Sequence, residues 1–191
     1  MATTIGTGYA NAPLKQGEPP DHGFLYTGKG LDFDGVTDYI DTGSAFQDIW
    51  RDSFTVSLWV KPADGTPSSN EVLFGTTIAG EADRVIVSSK TDGDIQIIYE
   101  SDDDQVIGLS EDEFDNASGQ WQYLVFTATS GGNIVTYING KVTNTTDASS
   151  ATFSDWTSGI NLYIGANNEN NTASGWFDGM ISNFQMWNAA W

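Results

Sequence analysis

The chain has 191 residues, a length that suits one domain with a substantial core, and 26 acidic against 7 basic residues give it a formal net charge of −19. That charge repels phosphate backbones and anionic lipid headgroups, so nucleic acid is not expected as a partner; no apolar run is long enough for membrane insertion. The chain has no cysteine, which excludes disulfides, thiolate metal sites and cysteine-based catalysis.

Residues 1–30 are rich in proline and glycine and show no apolar periodicity, a pattern that predicts an extended N-terminal arm. Tyr9, Leu14 and Phe24 provide apolar contacts for docking on a neighbouring subunit, so we expect a homo-oligomer or a larger assembly; a disordered tail is the alternative. The arm lacks the basic and apolar regions of a secretory signal. The single histidine, His22, lies here, far in sequence from any partner, which argues against a Ser-His-Asp triad or a histidine zinc site.

The next stretch, LDFDGVTDYIDTG from Leu31 to Gly43, places four aspartates among strand-like apolar residues. Two interpretations remain open. The aspartates either form turns and the solvent side of a strand pair, or converge on a cation.

From Phe54 onward the apolar residues recur every second position. In FTVSLWV, the side chains of Phe54, Val56, Leu58 and Val60 are predicted to face a core and Trp59 the opposite side. Further strands are predicted at RVIVSS, DIQIIYE and QVIGL, with Asp-Gly turn signals at Asp64-Gly65 and Asp92-Gly93.

The segment WQYLVFTATSGGNIVTYINGKVTNTT predicts a hairpin, with strands at 121–129 and 134–142. NLYIG and GMISNFQMW complete the strands, and no stretch has a helical period. The prediction is an all-β fold of two packed antiparallel sheets or a barrel.

Six segments in order, LDFDGVTDYIDTG, FTVSLWVKP, WQYLVFTAT, YINGK, LYIGA and FDGMISNFQMWNAAW, resemble the laminin-G-like, concanavalin A-like jelly-roll modules. The resemblance covers residues 31–191. It implies a β-sandwich whose first and last strands are adjacent, and a role in binding glycans or proteins. With the arm and the lack of cysteine, it also resembles modules of bacteriophage virion proteins, which implies a virion surface or an extracellular location.

If the first and last strands are neighbours, the turn at Asp34-Gly35 approaches that at Asp178-Gly179. Calcium takes six to eight oxygen ligands, and the predicted ligands are Asp34, Asp38, Asp41 and Asp178 with backbone carbonyls. In many relatives an acid that can serve as a calcium ligand follows the isoleucine of the last strand, whereas Ser182 follows Ile181 here.

Candidate ligand-binding residues combine an aromatic surface with amide groups. Trp59 is a platform on the side opposite the core residues; Trp156 and Trp176 lie in predicted loops, with Asn168 and Asn170 beside Trp176. The ligand is a glycan or a protein. Structural packing is the alternative for each of these residues.

The leading hypothesis is a non-catalytic recognition or structural module of a virion or cell-surface protein. The alternative is a polysaccharide-active enzyme on the same fold, with Glu111, Glu113 or Asp115 as its acids. A retaining glycosidase needs two carboxyl groups about 5 Å apart, which alternate positions of one strand provide. These three acids lie in a turn-like segment instead, which favours the non-catalytic hypothesis.

Overall fold

The computed structural model describes residues 30–78, 83–102 and 104–191. The predicted arm therefore lies outside the described residues, apart from Gly30. The described residues form two predominantly antiparallel packed sheets, which confirms the predicted sandwich. Among them there is no helix with the length and apolar character needed to span a bilayer.

Sheet A has six strands. In spatial order they are β1 (Leu31–Asp34), β14 (Asp178–Trp187), β3 (Phe54–Pro62), β8 (Gln122–Ala128), β9 (Asn133–Ile138) and β10 (Lys141–Asp147). The first and last strands are adjacent, as predicted, with Asp34 opposite Asp178.

Sheet B contains the remaining strands. In spatial order the main path is β13 (Thr172–Ser174), β12 (Asn167–Glu169), β4 (Glu71–Thr77), β5 (Asp83–Ser89), β6 (Ile95–Ser101) and β7 (Asp104–Ser110). Two short strands, β2 (Ile40–Asp41) and β11 (Tyr163–Ile164), pair with each other, and β11 also pairs with β4. The pairing of β12 with β4 is parallel.

The alternation in β3 sets the core of the sandwich as predicted. Phe54, Val56, Leu58 and Val60 are all at most 1% exposed. They meet residues of sheet B such as Tyr99, which lies 5.8 Å from Phe54 between ring centroids. Burial of these apolar side chains is the main stabilising contribution to the fold.

The predicted hairpin is present, but its second strand is divided. Asn139 and Gly140 adopt positive φ values of 53° and 80° and form the two-residue turn between β9 and β10. Both residue types tolerate this left-handed conformation, which the favoured hairpin turns require. Residues 134–142 therefore belong to two strands, and β10 continues to Asp147.

The prediction of no helical stretch is wrong for two single turns. An α-helix, α1, spans Gln47–Trp50, and a 3₁₀ turn spans Phe153–Asp155. Each contributes a fully buried ring, Trp50 or Phe153, to the core. One turn is too short to give a sequence a visible helical period.

Candidate functional site

The two turns predicted to approach each other do so at one rim of the sandwich. The Gly35 amide donates to the Phe177 carbonyl at 3.1 Å. Gly35 has φ +69°, and a Cβ on it would lie 2.8 Å from the Cβ of Asp178. A glycine is required here because any side chain would collide with the neighbouring turn.

The Asp34 carboxylate is used by its own turn. It accepts hydrogen bonds from the amides of Val36, Thr37 and Asp38 at 2.7 to 3.0 Å, and from the Thr37 hydroxyl at 3.0 Å. The Thr37 amide, with those of Val36 and Asp38, holds the pKa of Asp34 well below its ordinary value. This is the turn interpretation of the aspartate-rich stretch.

The four predicted calcium ligands are not brought together as one group. Asp34 and Asp178 are opposite each other, whereas Asp41 lies on β2 and accepts bonds from the Gly43 amide and the Asn161 side chain at 2.8 and 3.0 Å. Within residues 30–78, 83–102 and 104–191 no cluster of three or more acidic or histidine side chains has the arrangement of a metal site. The described donors alone therefore do not fit a calcium cage, and calcium binding stays a prediction.

A carboxyl group that sequence reasoning missed lies at the same rim. Glu71 begins β4, and its Oε2 accepts a 3.3 Å hydrogen bond from the Asp178 amide. Burial raises the pKa of Glu71 to about 7, and the charges of Asp178 and Asp64 add to that rise. No sequence pattern relates Glu71 to Asp178, because they meet only where the two sheets meet.

Trp59 lies on the outward side of sheet A, as predicted. This side is called face A below. Trp59 is half-buried, and its ring centroid is 5.0 Å from that of Tyr123, its cross-strand neighbour on β8. The two rings make an aromatic pair on the outside of the sandwich.

Thr55 and Ser57 share the outward orientation of Trp59, but both are buried. The Thr55 hydroxyl donates to the Ala189 carbonyl at 2.7 Å, so the segment after β14 crosses this end of face A. The ring of Trp191 packs 4.2 Å from that of Trp187, while 68% of Trp191 stays exposed. The last residues thus build an aromatic wall on face A.

Beside this wall is a cavity of about 290 Å³. Val125 and Thr127 of β8 and Tyr137 of β9 line it, with Gly140 and Trp191 completing the lining. Val125 is paired with Tyr137 across the strands, so the floor is one continuous part of the sheet. An aromatic and aliphatic surface of this kind suits the flat, partly apolar ring of a sugar.

The prediction that Trp156 is a ligand platform is wrong. Trp156 has no exposed surface and lies in the core, 6.1 Å from the ring of Trp50 and 5.8 Å from that of Tyr99. Trp156 lies within the loop-like segment FSDWTSG, and its immediate neighbours Asp155 and Thr157 are exposed, so the local sequence does not indicate its burial.

The asparagine-rich segment forms the β12–β13 hairpin at the edge of sheet B. Asn168 is fully buried. Its side chain donates a hydrogen bond to the Asn161 carbonyl at 2.8 Å and accepts one from the Asn171 amide at 2.7 Å. The prediction that Asn168 binds a ligand is therefore wrong. Asn170 is exposed at the turn with φ 49°, and Trp176 is half-buried. Asn168 and Asn170 are thus on the sheet opposite Trp59, and Trp176 lies in the connection between β13 and β14, so the predicted site residues do not share one surface.

The outward side of sheet B, face B below, has a different character. Arg84 of β5 forms an ion pair with Glu100, directly opposite on β6, and the Gln105 side chain donates to Glu100 at 3.2 Å. The side chains of Arg84 and Glu100 are only 13% and 8% exposed. The sequence did not reveal this pair, because the two residues become neighbours only through the register of β5 and β6.

The acids of the enzyme hypothesis are not on a strand. Glu111 and Asp115 are exposed and Glu113 is half-buried, all in the connection between β7 and β8. Alternate strand positions, which would aim two carboxyl groups at one bond, are therefore not occupied by these acids. His22 lies outside the described residues.

The two-sheet antiparallel sandwich with adjacent terminal strands has the architecture that the sequence resemblance implies. The family model described as "Concanavalin A-like lectin/glucanases superfamily" matches residues 34–191, and the chain belongs to this family. The predicted laminin-G-like, concanavalin-like family is thereby confirmed. A search of the curated proteins finds no match.

Solved structures share the fold at low sequence identity. The CBM40 module of the Ruminococcus gnavus IT-sialidase, bound to α2,3-sialyllactose, superposes with a TM-score of 0.69 at 16% identity, over 86% of this chain and 92% of that module. The NanB sialidase of Streptococcus pneumoniae superposes with a TM-score of 0.68 at 20% identity over 85% of this chain. This chain spans only 26% of the sialidase. Domains LG4-5 of the mouse laminin α1 chain superpose with a TM-score of 0.62 at 17% identity, over 85% of this chain and 42% of the laminin chain.

Proposed function

We propose that this chain is a non-catalytic glycan-recognition module that binds its ligand on face A. The observation that carries the proposal is the concentration of aromatic rings on face A, where Trp59 pairs with Tyr123 and where Tyr137 and Trp191 line an open cavity. Rigid aromatic rings provide large contact areas for apolar ring faces at a low cost in conformational entropy. A surface made only for solubility would not concentrate such rings on one side of one sheet.

The comparisons support a glycan as the ligand class. One structural neighbour is a carbohydrate-binding module with sialyllactose bound, and 92% of its length superposes on this chain. Its fold resembles that of this chain, while the low identity leaves the choice of glycan to the side chains of this protein.

The test is a glycan array probed with the full chain, followed by titration calorimetry of the best ligand. Tyr123→Ala and Trp59→Ala should each weaken binding about tenfold or more, as expected for loss of one stacked ring. Ile107→Ala is the matched control, because Ile107 is 45% exposed on face B. Equal losses for the control, or no bound glycan at all, would count against the proposal.

A second candidate function rests on Glu71. A carboxyl group with a pKa raised to about 7 beside a second carboxyl, that of Asp178, has the character of a general acid in a polysaccharide-active enzyme. Release of reducing ends from polysaccharides by the full chain, lost in Glu71→Gln, would favour this candidate. Binding without release, unchanged in Glu71→Gln, would favour recognition alone.

The predicted setting is a virion surface or an extracellular location, with the arm of residues 1–30 holding the module in an assembly. This setting, the homo-oligomer and the phage relationship stay predictions. Mass measurement in solution of the full chain and of a chain lacking residues 1–30 tests the arm, since removal of an anchoring arm should reduce the assembly to folded monomers.

A further inference from the structure

One wall of the cavity on face A is held in place by contacts with the sheet. Trp191 is held against Trp187, and the hydrogen bond from Thr55 to Ala189 fastens the segment between them to the sheet. The opposite side opens above Gly140, where no atom lies within 4 Å of a Cβ position. A volume of about 290 Å³ is just below the usual range for sites that hold drug-sized ligands, which suits one sugar ring.

None of the described residues that line the cavity has a charged side chain. Among the described basic residues, the strand register places Lys61 on face A, because it follows Trp59 by two positions and pairs with Met180. Lys61 is four residues along β3 from Ser57, the partner of Val125, or about 13 Å at the rise of a strand. That separation exceeds the Debye length of about 8 Å at physiological salt, so Lys61 exerts little attraction on a charge in the cavity.

Lys141 is next in sequence to the lining residue Gly140, but it does not share face A. It pairs with Ile138, whose side chain is in the core, whereas Val142 pairs with Tyr137 on face A. The register therefore directs the Lys141 side chain away from the cavity.

Carboxylates outnumber ammonium groups on face A. By the same alternation, four described aspartates lie on its strands with the outward orientation: Asp32, Asp34, Asp147 and Asp178. By the same strand geometry each of them also lies more than a Debye length from the cavity lining, so these carboxylates add little repulsion there, and what the cavity lacks is a described cation close enough to pair with an anionic ligand.

The one arginine at the centre of a sheet face is on the other side of the sandwich. Arg84 lies on face B and is paired with Glu100, so its charge is already compensated. A ligand carboxylate would have to replace Glu100, which would then be left without its partner at 8% exposure.

From these observations we infer that the cavity lined by Tyr137 and Trp191 is a subsite for an uncharged sugar ring, and that face A selects neutral glycans over sialylated or uronic acid-containing ones. The inference rests on the proposed function and names the ligand class of that same surface. It differs from what the bound sialyllactose of the structural neighbour would suggest.

The experiment uses an array in which every neutral glycan has a carboxylated counterpart, such as lactose beside sialyllactose, with titration of the best pair. The full chain should bind the neutral member at least tenfold more tightly. Binding of the neutral member should change little between about 0.05 and 0.5 M salt, because no ion pair contributes to it. Tyr137→Ala and Trp191→Ala should each lower the affinity for the neutral glycan about tenfold. Trp191→Phe should lower it less, and Ile107→Ala should leave it unchanged.

A charge substitution at the cavity sharpens the test. Val142 is 50% exposed opposite Tyr137, so Val142→Lys places a cation on face A beside the cavity and should raise the affinity for the carboxylated member alone. Thermal melts of each variant confirm folding.

The outcomes separate the two proposals. Tighter binding of carboxylated glycans by the unmodified chain overturns the selectivity but leaves glycan recognition standing. Neutral binding that survives loss of both Tyr137 and Trp191, yet is lost in Trp59→Ala, overturns the cavity as the subsite. Binding of neither member of any pair overturns the proposed function and this inference together.

Discussion

The outward faces of the two sheets differ although their inward faces form one core. Face A carries the aromatic rings of Trp59, Tyr123, Tyr137 and Trp191 and an open cavity. Face B carries a cross-strand ion pair, Arg84 with Glu100, extended by Gln105. Strands with the same alternating pattern thus produce one surface suited to an external ring and another whose polar groups already bond one another.

This difference shows how an outward residue is judged functional or structural. A polar group that is satisfied within the protein adds stability but has little left to offer a ligand, as with Asn168 and Glu100. An aromatic ring such as Trp191, which is anchored at one side and exposed at the other, retains its free surface for binding.

The largest expected effect is in the core that both faces share. Trp156→Ala removes a fully buried indole that packs on Trp50 and Tyr99, and should lower the free energy of unfolding by about 3 to 5 kcal/mol. Denaturant unfolding followed by circular dichroism measures it. Trp191→Ala, the control at an exposed position, should cost less than about 1 kcal/mol. Similar costs for the two variants would contradict the placement of Trp156.

The next effect concerns the ion pair of face B. Arg84→Met leaves the Glu100 carboxylate poorly solvated and without its partner, so the single variant should lose about 2 to 3 kcal/mol of unfolding free energy. Arg84→Met combined with Glu100→Leu should recover much of that loss. The double-mutant cycle measures the coupling between the two side chains.

Glycan binding provides the control for that cycle. If face B is structural, the double variant should retain its glycan affinity. Tyr137→Ala on face A should instead keep its stability and bind the glycan more weakly. Loss of glycan affinity in the folded double variant would move the binding surface to face B.

The smallest effect is the pH dependence at the rim where the two sheets meet. The folded pKa of Glu71, about 7, is above its ordinary value of 4.5, so the folded chain binds more protons than the unfolded chain between these values. The free energy of unfolding should therefore fall as the pH rises through this window. The contribution of Glu71 is on the order of 1 kcal/mol after allowance for solvent screening of a half-exposed group.

Glu71→Gln should flatten the stability curve between pH 4.5 and 7 and make the protein more stable than the unmodified chain at pH 8. Glu169→Gln, at an exposed glutamate of the same sheet, serves as the control and should follow the unmodified curve. An unchanged slope in Glu71→Gln would place the responsible group elsewhere.

Much of the fold was predictable from the sequence. Side chains at every second position of β3 identify one buried face, and Asn139-Gly140 identifies a turn by its tolerance of positive φ. The single helical turn at Gln47–Trp50 was not predictable, since four residues cannot display a helical period.

The candidate site was predictable only in part. Trp59 follows from alternation within one strand, and its outward orientation is confirmed by its pairing with Tyr123. Trp156 and Asn168 looked accessible because their neighbours are polar, yet both are fully buried. Loop residues have no period from which burial can be deduced, so their environment depends on which distant segment packs against them.

The sequence by itself determined the alternation of apolar side chains, the turns and the negative charge, because each of these depends on residues within a few positions of one another. Only the tertiary structure decided that Glu71 meets Asp178, that Arg84 meets Glu100, and that Trp191 stands beside Tyr137. The physical reason is that sheet register and the packing of the two sheets, which join residues far apart in the chain, determine which side chains share a surface and which remain available to a ligand.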